Sequence, residues 1–167
     1  MRVLVLGGIR SGKSEWAESV IAQSVGEKDP VRYLATGPVD DDADWAARVA
    51  AHRVRRPRHW STVETSDVAK QLRADDSEPT LVDDVGGWLT VAMDGARAWT
   101  EGSVRADVDD LIDAVAGYKS DLVLVSPEVG LTVVPETAAG RRFADELGAL
   151  NQRLAKLCDR VVLVVAG

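Results

Sequence analysis

Residues 3–14, "VLVLGGIRSGKS", join a short apolar run to a glycine-rich turn and the start of an amphipathic segment. Val3–Leu6 shows no polar alternation, as expected of a strand buried on both faces of a parallel sheet. Gly7, Gly12, Lys13 and Ser14 then satisfy G-x-x-x-x-G-K-[ST], and the spacing over Ser14–Val25 predicts a helix. Strand, glycine-rich turn and helix in that order make a phosphate cradle. The turn aims backbone N–H groups at phosphate oxygens, and the helix N-terminus adds partial positive charge. Gly7, Gly8, Ile9, Arg10, Ser11, Gly12, Lys13 and Ser14 are therefore candidate nucleotide-binding residues. Lys13 is the candidate catalytic cation for the β- and γ-phosphates, and the Ser14 hydroxyl is a candidate Mg²⁺ ligand.

Further along the chain, Leu81–Val82, Leu122–Val125, Val161–Val165 and, more weakly, Val31–Ala35 read as strands of the same buried kind. Between them, Asp44–Arg55, Val68–Arg73, Val104–Gly117 and Ala138–Leu157 read as helices. The last carries Phe143, Leu147, Leu150, Leu154 and Leu157 at helical spacing. Such alternation predicts an α/β protein of the P-loop NTPase fold, with a mostly parallel central sheet flanked by helices. No linker or repeat divides it, so residues 1–167 are expected to form a single domain. The acidic stretches Pro38–Trp45 and Arg73–Pro79 read as solvated loops.

The chain has 27 Asp+Glu against 20 Lys+Arg and a net charge of -7, which argues against a nucleic-acid binder that relies on a broad basic surface. Its 46% hydrophobic and 28% charged residues are ordinary for a soluble globular protein. The one cysteine, Cys158, permits no intrachain disulfide and sits in an apolar stretch that points to packing. No run approaches the roughly 20 apolar residues of a membrane span, and Gly7 and Gly8 cut short any signal-like segment. A cytoplasmic location is expected.

A P-loop needs a carboxylate at the end of a second strand to hold its metal. "TLVDDV" supplies Asp83 and Asp84, and Asp83 is the better placed because the short apolar run ends there. Glu128 in "VLVSPEVG" is a second candidate. Loops after strand C-termini gather on one edge of an open parallel sheet, so all these residues are expected on one rim.

Residues 48–60, "RVAAHRVRRPRHW", hold both histidines of the chain among five arginines and no acid. Local positive charge in an acidic protein suggests an anion site, and the planar guanidinium fork suits phosphate. Neutral imidazole is a competent nucleophile toward phosphorus, and neighbouring arginines disfavour its protonated form. His59 is expected to pack or cap near Pro57 and Trp60.

Together, "GGIRSGKS", "RVAAHRVRRPRHW", "STVET", "LVDD", "EVGLTVVPE" and "LNQRLAKLCDRVVLVVAG" resemble, along nearly the whole chain, the bifunctional adenosylcobinamide kinase/adenosylcobinamide-phosphate guanylyltransferases of cobalamin biosynthesis. Arg10 two residues before Gly-Lys-Ser, H-x-x-x-R-P-x-x-W from His52 to Trp60, and E-V-G-x-x-x-V-P-E from Glu128 to Glu136 carry the specificity. The resemblance implies phosphorylation of adenosylcobinamide by a nucleoside triphosphate, GTP or ATP. Transfer of GMP from GTP through a guanylyl-histidine then gives adenosylcobinamide-GDP. It places the accepting histidine at His52 and nucleotide contacts at Arg53, Glu64 and Asp83, with Asp83 metal-associated. It also implies a homotrimer. Two departures stand out: Pro127 replaces the Asn that commonly precedes E-V-G, and Gly86 and Gly87 fall where relatives often have a threonine-containing stretch. A P-loop small-molecule kinase without guanylyl transfer and a non-catalytic nucleotide-binding regulator are the alternative readings.

Overall fold

The computed structural model describes residues 1–37 and 56–167. The helix expected over Asp44–Arg55 and the loop expected over Pro38–Trp45 lie outside them, as do His52, Arg53 and Trp45.

Among the described residues, strands Arg2–Gly7 (β1), Arg32–Ala35 (β2), Ser61–Glu64 (β3), Thr80–Asp83 (β4), Leu122–Pro127 (β5) and Arg160–Val164 (β6) form one 6-stranded sheet. Its order is β3-β2-β4-β5-β1-β6, and every pairing is parallel. The helices are Lys13–Ser24 (α1), Val68–Ala74 (α2), Val85–Gly95 (α3), Arg105–Gly117 (α4) and Ala138–Ala155 (α5). This is the expected α/β architecture, with element ends within about two residues of the sequence reading.

Side chains alternate across a strand, so each strand serves two cores. Val3, Val5, Tyr33, Leu81, Val123 and Val125 face α1, where Ala17 and Ile21 meet them. Leu4, Leu34, Val82, Leu122 and Leu124 face the other side, against Trp88 and Leu89 of α3, Leu111 of α4 and Leu147, Leu150 and Leu154 of α5. Burial on both faces is why these strands read as continuous apolar runs. Each such side chain contributes about 1.5–3 kcal/mol through its removal from water.

Two elements escaped the sequence reading. β3 is an edge strand whose four residues, Ser-Thr-Val-Glu, are exposed or half-buried, so it lacks an apolar run. α3 begins "VGGW", and paired glycines ordinarily signal a turn. Packing overrides that preference: Trp88, Leu89 and Met93 are buried, and Asp84 caps the helix by accepting a hydrogen bond from the Gly87 N–H at 2.6 Å.

Candidate active site

The strands end together. Register sets Gly7 of β1 beside Pro127 of β5 and Val164 of β6, and Asp83 of β4 beside Val125 and Ala35. The loops leaving these ends wall a cleft of about 1350 Å³. It is lined by Gly8–Ser14 after β1, by Asp83 at the end of β4 and Asp84 just beyond it, and by Glu128 after β5. The rim expected from the motifs is thus present, with Gly7 just beneath it as the last residue of β1.

Gly12 caps α1 with φ 89, in the left-handed region that favours glycine. Its carbonyl accepts the Trp16 N–H at 2.9 Å, which starts the helix directly beneath the loop. Arg10 also has positive φ, 57, and is exposed at the mouth with Ile9. Lys13 folds back over the loop, its ammonium donating to the Gly8 carbonyl at 3.3 Å. Ser14 follows on the first turn of α1, half-buried in the cleft wall.

The two aspartates differ in their partners. Asp83 Oδ2 accepts a hydrogen bond from the Tyr33 hydroxyl at 2.5 Å. Asp84 turns toward α3 and Gly87. Burial, and then the negative charge of Asp83, hold the Asp84 carboxyl above the usual carboxylate range, while the Gly87 N–H and Lys13 pull the other way. Asp83 and Ser14 line the same cleft, and a carboxylate with a hydroxyl is the oxygen chemistry that suits a hard divalent cation. No cluster of three or more His, Cys, Asp or Glu stands among the described residues. Mg²⁺ seldom needs one, because one or two carboxylates and the substrate's phosphates suffice. Glu128 is turned inward on its own loop: its carboxylate accepts the N–H groups of Gly130 at 2.7 Å and Leu131 at 2.9 Å.

Glu64, the last residue of β3, is exposed and does not line the cleft among the described residues. Of the arginine-rich segment, Arg56 is described and is not spread toward solvent. Its guanidinium lies 3.6 Å over the Tyr33 ring, donates to Thr62 Oγ1 at 2.9 Å, and approaches Glu18 of α1 at 4.0 Å. His59 is exposed on the turn that the Trp60 N–H closes onto the Pro57 carbonyl at 3.0 Å, whereas Trp60 is buried. The sequence reading missed Tyr33 altogether, because one tyrosine inside a β-run reads as core. Asn151 was missed too. It accepts from Ser126 Oγ at 2.6 Å and donates to the Pro127 carbonyl at 3.1 Å, pinning the end of β5 to α5. Trp88 is core and Trp99 packs on Phe143 at 6.0 Å, in keeping with a packing role for both. Burial pushes the Cys158 thiol up to about 11, as suits a packing residue.

The whole chain from residue 3 to residue 167 matches the family described as cobinamide kinase / cobinamide phosphate guanyltransferase. The chain belongs to this family. It is 37% identical over 187 residues to the bifunctional adenosylcobalamin biosynthesis protein CobU of Escherichia coli, covering 100% of this chain and 97% of that protein. It is 38% identical over 178 residues to the bifunctional adenosylcobalamin biosynthesis protein CobP of Pseudomonas aeruginosa, covering 100% of this chain and 94% of that protein. Among solved structures, an ATPase from the type III secretion system of pathogenic bacteria superposes with a TM-score of 0.58 at 12% identity, over 97% of this chain and 51% of that one. That likeness is one of fold, and it agrees with the P-loop NTPase architecture. Family members are bifunctional transferases, as the motifs led us to expect.

Proposed function

We propose that this chain phosphorylates the aminopropanol hydroxyl of adenosylcobinamide from a nucleoside triphosphate, then transfers GMP from GTP onto that phosphate to give adenosylcobinamide-GDP. The observation that carries this reading is the shared cleft: a P-loop with Lys13 at its base faces the Asp83–Asp84 pair across the C-terminal edge of a parallel sheet. A volume of about 1350 Å³ exceeds what a drug-sized ligand fills, and suits a nucleotide together with a bulky second substrate.

In the first reaction the substrate hydroxyl attacks the γ-phosphorus and the nucleoside diphosphate leaves. The backbone N–H groups of Gly8–Gly12 hold the phosphates, and the Lys13 ammonium offsets charge that develops between the β- and γ-positions. Ser14 and Asp83 would hold Mg²⁺, which when bound neutralises the phosphate oxygens. In the second reaction a ring nitrogen of His52 attacks the α-phosphorus of GTP, forming a P–N bond as pyrophosphate leaves. The phosphate made in the first step then attacks the same phosphorus, breaks the P–N bond and returns His52 to its free state. Arg53 and its neighbours would offset charge on the transferred group, and Glu64 would accept hydrogen bonds from the guanosine.

We further propose that residues 1–167 act as one domain and that copies of the chain associate, as a homotrimer by family resemblance. Leu131, Val133, Val134 and Val165 stand 71–87% exposed beside the cleft, an apolar surface that a neighbouring copy would remove from water. No described helix is long and apolar enough to cross a membrane. A cytoplasmic location would supply both nucleotides.

The test is stepwise product analysis by mass. With adenosylcobinamide and ATP or GTP the chain should yield the phosphate, and with GTP the adenosylcobinamide-GDP. Accumulation of the phosphate alone in excess GTP would reduce the protein to a small-molecule kinase. No product at all would leave a nucleotide-binding regulator.

A further inference from the structure

We propose that Tyr33 is a positioning residue for the Asp83 carboxylate, and that Arg56 holds the tyrosine ring in place, so that Arg56 and Asp83 are mechanically linked through Tyr33. The proposal rests on Asp83 being metal-associated, as argued above.

Tyr33 sits inside β2, 3% exposed, between Leu81 of β4 and Thr62 of β3 in register. Its ring faces α1 as part of the core, but its hydroxyl reaches along the sheet to Asp83 Oδ2 at 2.5 Å. Packing alone would not require that hydroxyl, since phenylalanine would fill the same space. What the hydroxyl adds is a fixed donor on one carboxylate oxygen. Outer partners of this kind orient a ligand oxygen and set how well it holds a metal.

The ring is itself held. Arg56 lies flat over it at 3.6 Å, with side-chain exposure of 6%. The guanidinium also donates to Thr62 Oγ1, opposite Tyr33 on β3, and lies 4.0 Å from the Glu18 carboxylate on α1, whose side chain is 11% exposed. Glu18, Arg56, Tyr33 and Asp83 therefore form a continuous series of contacts from the P-loop helix to the end of β4. Without the flat guanidinium face the ring would be free to tilt and would move the donor on Asp83. Binding at Asp83 would act back along the same series, because coupling between sites is reciprocal.

Metal binding, rather than turnover, tests this. Free Mn²⁺ can be followed by electron paramagnetic resonance with the full chain and a GTP analogue whose α–β bridge is a methylene group, which cannot guanylylate the protein. Asp83→Asn is the reference variant and should weaken Mn²⁺ binding. Tyr33→Phe keeps the ring and the cation stack but removes the hydroxyl, and is expected to raise the Mn²⁺ Kd about tenfold. Binding of the same analogue without metal should be unchanged. Arg56→Lys keeps the charge and loses the flat face, so it should weaken Mn²⁺ binding in the wild-type background and add nothing on top of Tyr33→Phe. It also serves as an independent arm should Tyr33→Phe melt without cooperativity in metal-free buffer. Wild-type Mn²⁺ affinity in Tyr33→Phe or in Arg56→Lys, or effects of the two that simply add, would overturn the linkage while leaving Asp83 as reference ligand. Unchanged affinity in Asp83→Asn would instead remove the metal assignment on which the linkage rests, and both would fall.

Discussion

The ring of Pro127, at the end of β5, occupies the space that a β-carbon on Gly86, in the first turn of α3, would need: such a carbon would lie 2.6 Å from Pro127 Cγ. Position 86 therefore has no room for a side chain while Pro127 stands opposite it. Gly86→Ala should destabilise the protein by about 1–3 kcal/mol through overpacking, opposite in sign to the usual benefit of replacing a helical glycine. In a Pro127→Ala background the same change should be neutral or stabilising. Urea midpoints of the two singles and the double complete the cycle, and a Gly86→Ala protein more stable than its parent would refute the packing argument.

A second prediction concerns Asp84. Burial and the neighbouring Asp83 charge raise its folded-state pKa above its unfolded value, so the folded protein holds this proton more tightly. Its contribution to stability is therefore full below the unfolded-state pKa and is lost as pH rises through the folded-state pKa. Asn keeps the capping acceptor for the Gly87 N–H without the charge. Asp84→Asn should accordingly raise the metal-free melting temperature at neutral pH, and the gap to the parent should close as pH falls into the acid range. A gap that widens in acid would contradict the sign.

What was legible in the sequence follows from which forces act locally. The parallel sheet was legible because burial on both faces leaves uninterrupted apolar runs such as Leu122–Val125, and the P-loop because its backbone turn demands glycine at Gly12 and its phosphate chemistry an ammonium at Lys13. β3 was not legible, since an edge strand borrows its hydrogen bonds from β2 and needs little apolar surface. α3 was hidden by Gly86, whose reason lies in Pro127, forty-one positions away. Tyr33 reads as core from sequence, because its task depends on Asp83 fifty positions on. Glu128 shows the converse: its place after a strand suggested a ligand, yet its carboxylate closes its own turn.

Lys13 is the one described lysine lining the cleft. Lys13→Ala should abolish γ-phosphoryl transfer, with a loss of roughly 3 kcal/mol or more of transition-state stabilisation. Kinase activity within about threefold of the parent, a cost well under 1 kcal/mol, would remove the P-loop assignment. Asp83→Ala should instead raise the Mg²⁺ concentration needed for half-maximal rate. An unchanged metal titration would move the role to Asp84, because Glu128 is committed to Gly130 and Leu131.

The central claim is that one chain carries two phosphorus chemistries on separate nucleophiles, and labelling of the protein itself tests it most directly. Incubated with GTP labelled at the α-phosphorus and separated under denaturing conditions, the chain should carry label that survives base and is lost in acid. Protonating the bonded nitrogen turns imidazole into a good leaving group, which is why acid releases it. Label at the γ-phosphorus should not be retained. His52→Asn should block the labelling and leave phosphorylation of adenosylcobinamide measurable, while His59→Asn should label as the parent does. Normal labelling of the His52 variant, or label that withstands acid, would place the nucleophile elsewhere and contradict the account.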